Sequence, residues 1–123
     1  MRTLRLALLF LGLLAVPSLA HAQATSSAKL AWDQAAPDLA TANAYTFRQY
    51  PDGSATAVVL SPVTCSGMTS PFVCQVPFPA FTPGAHTTAV TAANIAGESL
   101  KSTPFPFTFV VIPSVPTNLR ILP

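Results

Sequence analysis

Charge is scarce in this sequence, and much of its basic balance sits in its first few residues. Only 8% of the 123 residues are charged. Arg2 and Arg5 belong to the N-terminal stretch "MRTLRLALLFLGLLAVPSLAHAQ". Beyond it, Lys29, Arg48, Lys101 and Arg120 are balanced by Asp33, Asp38, Asp52 and Glu98. The overall pI of about 8.8 therefore reflects the N-terminus, and a basic surface for nucleic acid or an anionic membrane has no support.

Histidine is nearly as rare. Past His21 only His86 remains, so nucleophilic chemistry has a single candidate base, in a stretch whose pattern is that of a strand. The sequence has no G-x-S-x-G elbow, no H-E-x-x-H and no phosphate-cradling glycine loop. Asp33, Asp38, Asp52 and Glu98 fall at scattered loops and strand ends, which suits no paired-carboxylate mechanism. The expectation is a protein that is not an enzyme and uses no cofactor or metal.

Long hydrophobic runs are confined to the N-terminus. Arg2 and Arg5, an apolar run from Leu6 to Val16, the break at Pro17 and the small-residue pattern Ala20, His21, Ala22 describe a secretory signal peptide over residues 1–22, cleaved after Ala22. The run is about half of what a bilayer-spanning helix requires. No comparable stretch follows, so no membrane insertion is expected after cleavage. The expected location is secreted, periplasmic or at the cell surface.

Cysteine is limited to Cys65 and Cys74. In an exported chain such a pair defaults to a disulfide, here between facing positions of neighbouring strands joined by "SGMTSPFV". The bridge would close a loop of about ten residues and contribute roughly 2 to 3 kcal/mol in the chain-entropy model. A redox pair or a metal site are the alternatives. The spacing is not C-x-x-C, and two thiolates with one distant histidine lack a fourth ligand.

What the sequence does have is proline and alternation. The prolines cut the chain into short pieces and oppose long helices. "AKLAWD" places Leu30 and Trp32 on one side, "AYTFRQY" places Tyr45 and Phe47 together, and "ATAVVL" and "FVCQVPF" are β-branched or aromatic runs. "HTTAVTAAN" aligns Thr88, Val90 and Ala92, and "PFPFTFVV" aligns Phe105, Phe107, Phe109 and Val111. Turn signals separate them: "AAPD", "PDGS" with Asp52-Gly53, "SGMTSP", "TPG" and "IAGES". Six strands at this spacing predict a β-sandwich. An alanine-rich helix over residues 84–103 competes on propensity, but the threonines and the lack of a 3.6-residue stripe favour a strand. Pro104 and Pro106 each remove a ladder donor, which predicts an edge position for the last strand. For Trp32 and the phenylalanine stripe, core packing is expected over ligand stacking.

From His86 onward, Val90, Ala92, Asn94, Gly97 and Ser99 stand at offsets four, six, eight, eleven and thirteen. That pattern resembles the penultimate strand and following loop of a fibronectin type III domain, which has Tyr where His86 stands. "LAWD" is similar to the family's core tryptophan strand, and "APDLATANAYTFRQY" to the following loop and strand of bacterial members. The resemblance covers about residues 28–112. It implies an all-β, immunoglobulin-like β-sandwich of six to seven antiparallel strands over residues 23–112. It further implies that His86, with Gly84, holds the corner by bonding a backbone group as the family's Tyr does.

Two departures stand out. Only Ala85 separates Gly84 from His86, where the family has two residues. The proline-rich entry to the family's first strand is missing before Trp32, and a copy of it stands at the other end as "PSVPTNLRILP". The tail over residues 113–123 thus resembles the first strand of a further domain.

The family's habit implies a binding or spacing role toward a protein or glycan partner, without the adhesive tripeptide Arg-Gly-Asp, which is absent. Candidate binding residues are Tyr50, Asp52, Asn94 and Glu98, in and beside "PDGS" and "NIAGES". A structural alternative uses Asn118, Leu119 and Ile121 as a donor strand. The linker "IPSV", at about 3.5 Å per residue, is too short to carry the tail back along the sandwich. Folded back locally, "TNLRI" would run parallel to the Trp32 strand; donated to the next copy it would arrive antiparallel, a head-to-tail assembly.

Overall fold

The computed structural model describes residues 21–123. The expected leader lies outside them apart from His21 and Ala22. The described residues form nine strands and one short helix: β1 (Ala22–Ala24), β2 (Lys29–Gln34), α1 (Leu39–Ala44), β3 (Thr46–Pro51), β4 (Val58–Val59), β5 (Thr64–Ser66), β6 (Phe72–Pro77), β7 (Gly84–Asn94), β8 (Gly97–Glu98) and β9 (Phe105–Phe109). One sheet has the order β1-β9-β7-β3-β4 with β8 added to β7, and the other has the order β2-β6-β5. The protein is an all-β sandwich.

Each expected strand forms, although "ATAVVL" keeps ladder pairing only at Val58 and Val59. The stretch that competed as a helix is β7, an 11-residue strand. It pairs with β3 through Phe47↔Ala92 and Tyr50↔Ala89, and with β9 through Gly84↔Phe109 and His86↔Phe107. Two long-range ladders outweigh alanine's helix propensity because β7 satisfies its backbone on both sides.

Period-2 alternation sends one face of each strand inward. Leu30, Phe47, Phe72, Cys74 and Val76 form one buried cluster, with Trp32 packed against it. The Trp32 ring meets Phe47 edge-on at 5.0 Å between centroids. Ala24, Phe107 and Phe109 form a second cluster with Phe78 and Phe81, and Phe78 meets Phe107 edge-on at 5.0 Å. A fully buried phenylalanine is worth roughly 1.5–3 kcal/mol by area.

Three expectations are corrected. The last strand is not an edge strand: β9 lies between β7 and β1, and β1 pairs with it in parallel through Phe107, Thr108 and Phe109. Proline's missing donors matter only up to Pro106, and β1 begins its pairing one residue later. Second, the phenylalanine stripe is only half core, because Phe107 and Phe109 are buried while Phe105 and Val111 are exposed. The cover supplied by Ala24, Phe78 and Phe81 stops at the ends of the Phe107–Phe109 segment. Third, the strand count exceeds six to seven, with the short β1, β5 and β8 as additions.

"AAPD", expected as a turn, opens α1. Asp38 is its N-cap, in extended conformation, and its Oδ1 accepts from the Thr41 amide at 2.7 Å. That bond holds the Asp38 carboxyl below its ordinary pKa. Asn43 then ties the helix to β5: its Oδ1 accepts from the Cys65 amide at 2.8 Å, and its Nδ2 donates to the Cys65 carbonyl at 3.2 Å.

Candidate functional site

Cys65 and Cys74 are directly opposed on β5 and β6, with Cα atoms 3.9 Å apart, and form a disulfide. This is the structural pairing expected over the redox and metal alternatives. It closes the sheet's β5 edge beneath Asn43. Among the described residues no helix is long and apolar enough to cross a membrane, and a disulfide is compatible with an oxidising extracytoplasmic location.

His86 and Gly84 both lie on β7. Asp52 and Gly53, both at positive φ (+50° and +70°), make the tight turn after β3, closed by the Ser54 amide donating to the Pro51 carbonyl at 2.9 Å. The turn is locked to β7. Asp52 N–H donates to the Thr87 carbonyl at 2.8 Å, and the Thr87 amide returns a bond to Asp52 Oδ1 at 3.0 Å. The second carboxylate oxygen faces His86 Nδ1 at 2.9 Å, while His86 Nε2 lies 2.7 Å from the Thr82 carbonyl.

Both ring nitrogens thus point at acceptors, so the geometry favours a ring protonated on each. The Asp52 hydrogen bond first, and the Thr82 carbonyl second, raise the His86 pKa above its ordinary 6.5. Asp52 is held below its ordinary 3.8, chiefly by the Thr87 amide and then by His86. The imidazole packs between Phe81 and Phe107, with centroids at 4.9 and 5.9 Å.

Thr82, His86 and Asp52 also stand in the order of a nucleophile, base and carboxylate relay. The hydroxyl of Thr82 is 3.3 Å from Nε2. While the ring carries both protons, Nε2 donates to the Thr82 carbonyl and has no free lone pair. The constellation ties the β6–β7 connection to the β3 turn.

Tyr50 and Glu98 come together on the outer face of the larger sheet. Tyr50 Oη donates to Glu98 Oε1 at 2.8 Å, Thr91 Oγ1 donates to the same oxygen, and Arg48 Nη1 reaches Oε2 at 3.0 Å. Lys101 Nζ sits 3.9 Å from the centre of the Tyr50 ring. The hydroxyl bonds of Thr91 and Tyr50 lower the Glu98 pKa, and Glu98 raises that of Tyr50. Asn94 is not part of this cluster; its Oδ1 accepts from the Ala96 amide at 2.8 Å in the β7–β8 turn. Asp52 is likewise separate, engaged by β7.

Sequence reading missed Arg48, Thr91 and Lys101. Arg48 and Tyr50 share one strand face two residues apart, a signal that was available; their meeting with Glu98 depends on long-range pairing.

A cleft of about 640 Å³ opens between the two sheets along β2 and is lined by Leu30, Trp32, Phe78, Val90, Leu100 and Phe105. Trp32 Nε1 and Thr88 Oγ1 are buried beside it without a partner among the described residues. The tail leaves β9 with its Val110 amide bonded to the Ala24 carbonyl at 2.8 Å. Residues 110–123 then form no helix or strand, and Leu119 and Ile121 are 99% and 97% exposed. Asn118, the third expected donor residue, is also exposed and has φ +55°.

Comparison with protein-family models, with curated proteins and with solved structures gave no match for this chain.

Proposed function

We propose that this chain is an exported, non-catalytic β-sandwich module of the immunoglobulin-like, fibronectin type III kind, binding or spacing within an extracytoplasmic or cell-surface system. The observation that carries the reading is the leader-like N-terminus in front of a small sandwich stapled by Cys65–Cys74. The order β2-β6-β5 facing β9-β7-β3-β4 supports the immunoglobulin-like assignment. Engagement of His86 by Asp52 and the Thr82 carbonyl supports a structural corner in place of a catalytic base. The patch of Tyr50, Glu98 and Lys101 suits a polar partner such as a protein or glycan surface, and needs no cofactor.

The test is the chemical state of the protein recovered from its own cell fractions. Intact-mass and N-terminal analysis should find Gln23 as the first residue, Cys65 and Cys74 oxidised, and the protein outside the cytoplasm. A retained leader with both thiols free in the cytoplasm would overturn the reading. A second role, as a subunit that assembles head-to-tail, is favoured by the exposed apolar tail and the open cleft together.

A further inference from the structure

We propose that the free edge of β2 and the cleft beneath it are the acceptor site for residues Thr117–Leu122 of a second copy of this chain. The proposal deepens the head-to-tail role given above and rests on the export reading only for the form of the chain, which cleavage after Ala22 starts at Gln23 within β1.

The edge is unpaired among the described residues, since β2 ends the order β2-β6-β5. Its hydrogen-bonding face follows from the ladder on the other side. The Phe78 amide donates to the Ala28 carbonyl, and the β2–β6 register continues through Leu30↔Val76 and Trp32↔Cys74. In an antiparallel pair the bonded residues alternate, so the even positions serve β6. Lys29, Ala31 and Asp33 turn their amides and carbonyls outward.

The tail is shaped for this edge. Pro116 and Pro123 bracket Thr117–Leu122, a proline-free run of six residues, and β2 is also six residues long. Laid antiparallel, Leu122, Arg120 and Asn118 face Lys29, Ala31 and Asp33, so every residue asked for an amide has one. The alternate residues Ile121, Leu119 and Thr117 then face Leu30, Trp32 and Gln34 on the cleft side. Asn118 and Arg120 stay outward, and Arg120, opposite Ala31, has Asp33 and Lys29 as its two diagonal neighbours, so charge does not set the register. A one-residue slip would send Leu119 and Ile121 to solvent.

Direction selects a second copy over the chain's own tail. β1 runs parallel to β9, and the chain then reverses through the turn closed by Ala28 N–H to the Thr25 carbonyl to enter β2. The tail therefore leaves the molecule at the end where β2 begins, and folding back would make it run parallel to β2, the weaker pairing. A tail from the next copy arrives at the Gln34 end and runs antiparallel. The contact is heterologous and leaves each copy with one free tail and one free edge, so it propagates.

Three forms of the exported chain test this by size-exclusion with light scattering. The wild type should give a concentration-dependent ladder of oligomers. Leu119→Asp with Ile121→Asp spoils the donated strand at fully exposed positions, and Ala31→Pro removes an N–H of the receiving edge that β6 does not use. Each variant alone should be monomeric, and a mixture of the two should stop at the dimer. A wild type that stays monomeric at its highest soluble concentration, or a donor variant that assembles as the wild type does, overturns the proposal.

If Ala31→Pro fails to fold, a synthetic peptide of residues 114–123 replaces it. Added to the donor variant, it should shift the emission of Trp32, the chain's single tryptophan, with a scrambled peptide binding about tenfold or more weakly; equal binding overturns the proposal. N-terminal analysis of the same samples keeps the two readings apart. Assembled material that retains its leader would sink the export reading and leave the acceptor site standing, whereas processed, oxidised, monomeric material would do the reverse.

Discussion

At the scale of single residues, the His86–Asp52 pair makes stability depend on pH in two directions. The His86 pKa is raised above 6.5 by Asp52 and the Thr82 carbonyl. Its contribution is fully present below 6.5 and is lost as pH rises through the raised value. The Asp52 pKa is lowered below 3.8, so its contribution is fully present above 3.8 and is lost as pH falls through the lowered value. Between those limits both groups contribute. Urea midpoints of the wild type should therefore fall between pH 6 and a pH above the His86 transition. His86→Phe should flatten that step while keeping the packing against Phe81 and Phe107. His86→Tyr separates the two bonds of the ring: a phenol can donate to the Thr82 carbonyl but cannot offer Asp52 a cation. It should remove the alkaline step yet retain more stability than His86→Phe; an unchanged alkaline step in both variants would assign the pH dependence elsewhere.

At the scale of elements, the disulfide and α1 act as one clamp on the β5 edge. β5 is three residues long, too short to hold its place by ladder bonds alone. Asn43 grips both backbone groups of Cys65, and Cys65–Cys74 crosses the β5–β6 ladder. Opening the bridge with Cys65→Ala and Cys74→Ala should cost roughly 2 to 3 kcal/mol through the loop of about ten residues it closes, read as a lower urea midpoint with a slightly steeper slope, because the chain without its cross-link unfolds to a less compact state. Hydrogen exchange should rise first at the amide of residue 65, because α1 loses its anchor as β5 loosens.

The elements also show what alternation could and could not convey. The strands containing Trp32, Phe47, Cys74 and Val90 were legible because each carries apolar residues two apart and ends at a turn signal. β1 and β5 were not, since three small or polar residues carry no period. In sequence Asp38 looks like part of a turn, because a six-residue helix has too few positions to display a stripe. The edge assignment of β9 failed for a sharper reason: prolines report the ladder only at their own positions, and β1 joins after the last of them. At the candidate site, Tyr50 and Glu98 stand out in sequence on two distant segments, while their joining through Arg48 and Thr91 depends on the β3–β7 register, which local sequence does not encode.

At the scale of the whole molecule, an acceptor edge and a donor tail on one chain couple stability to concentration. The folded chain leaves an apolar cleft open beside Trp32 and holds Leu119 and Ile121 in water, so occupation of the cleft favours the native state over the unfolded one by mass action. The melting temperature of the wild type should therefore rise with protein concentration, and that of the Leu119→Asp, Ile121→Asp form should not. Added peptide of residues 114–123 should raise the melting temperature of that form toward the assembled value. The alternative occupant, the chain's own tail folded back in parallel, gives a different pattern. Stability would then be independent of concentration in the wild type and lower in the double substitution at every concentration. Differential scanning calorimetry across a dilution series distinguishes the two, because only an intermolecular strand makes the transition move with concentration.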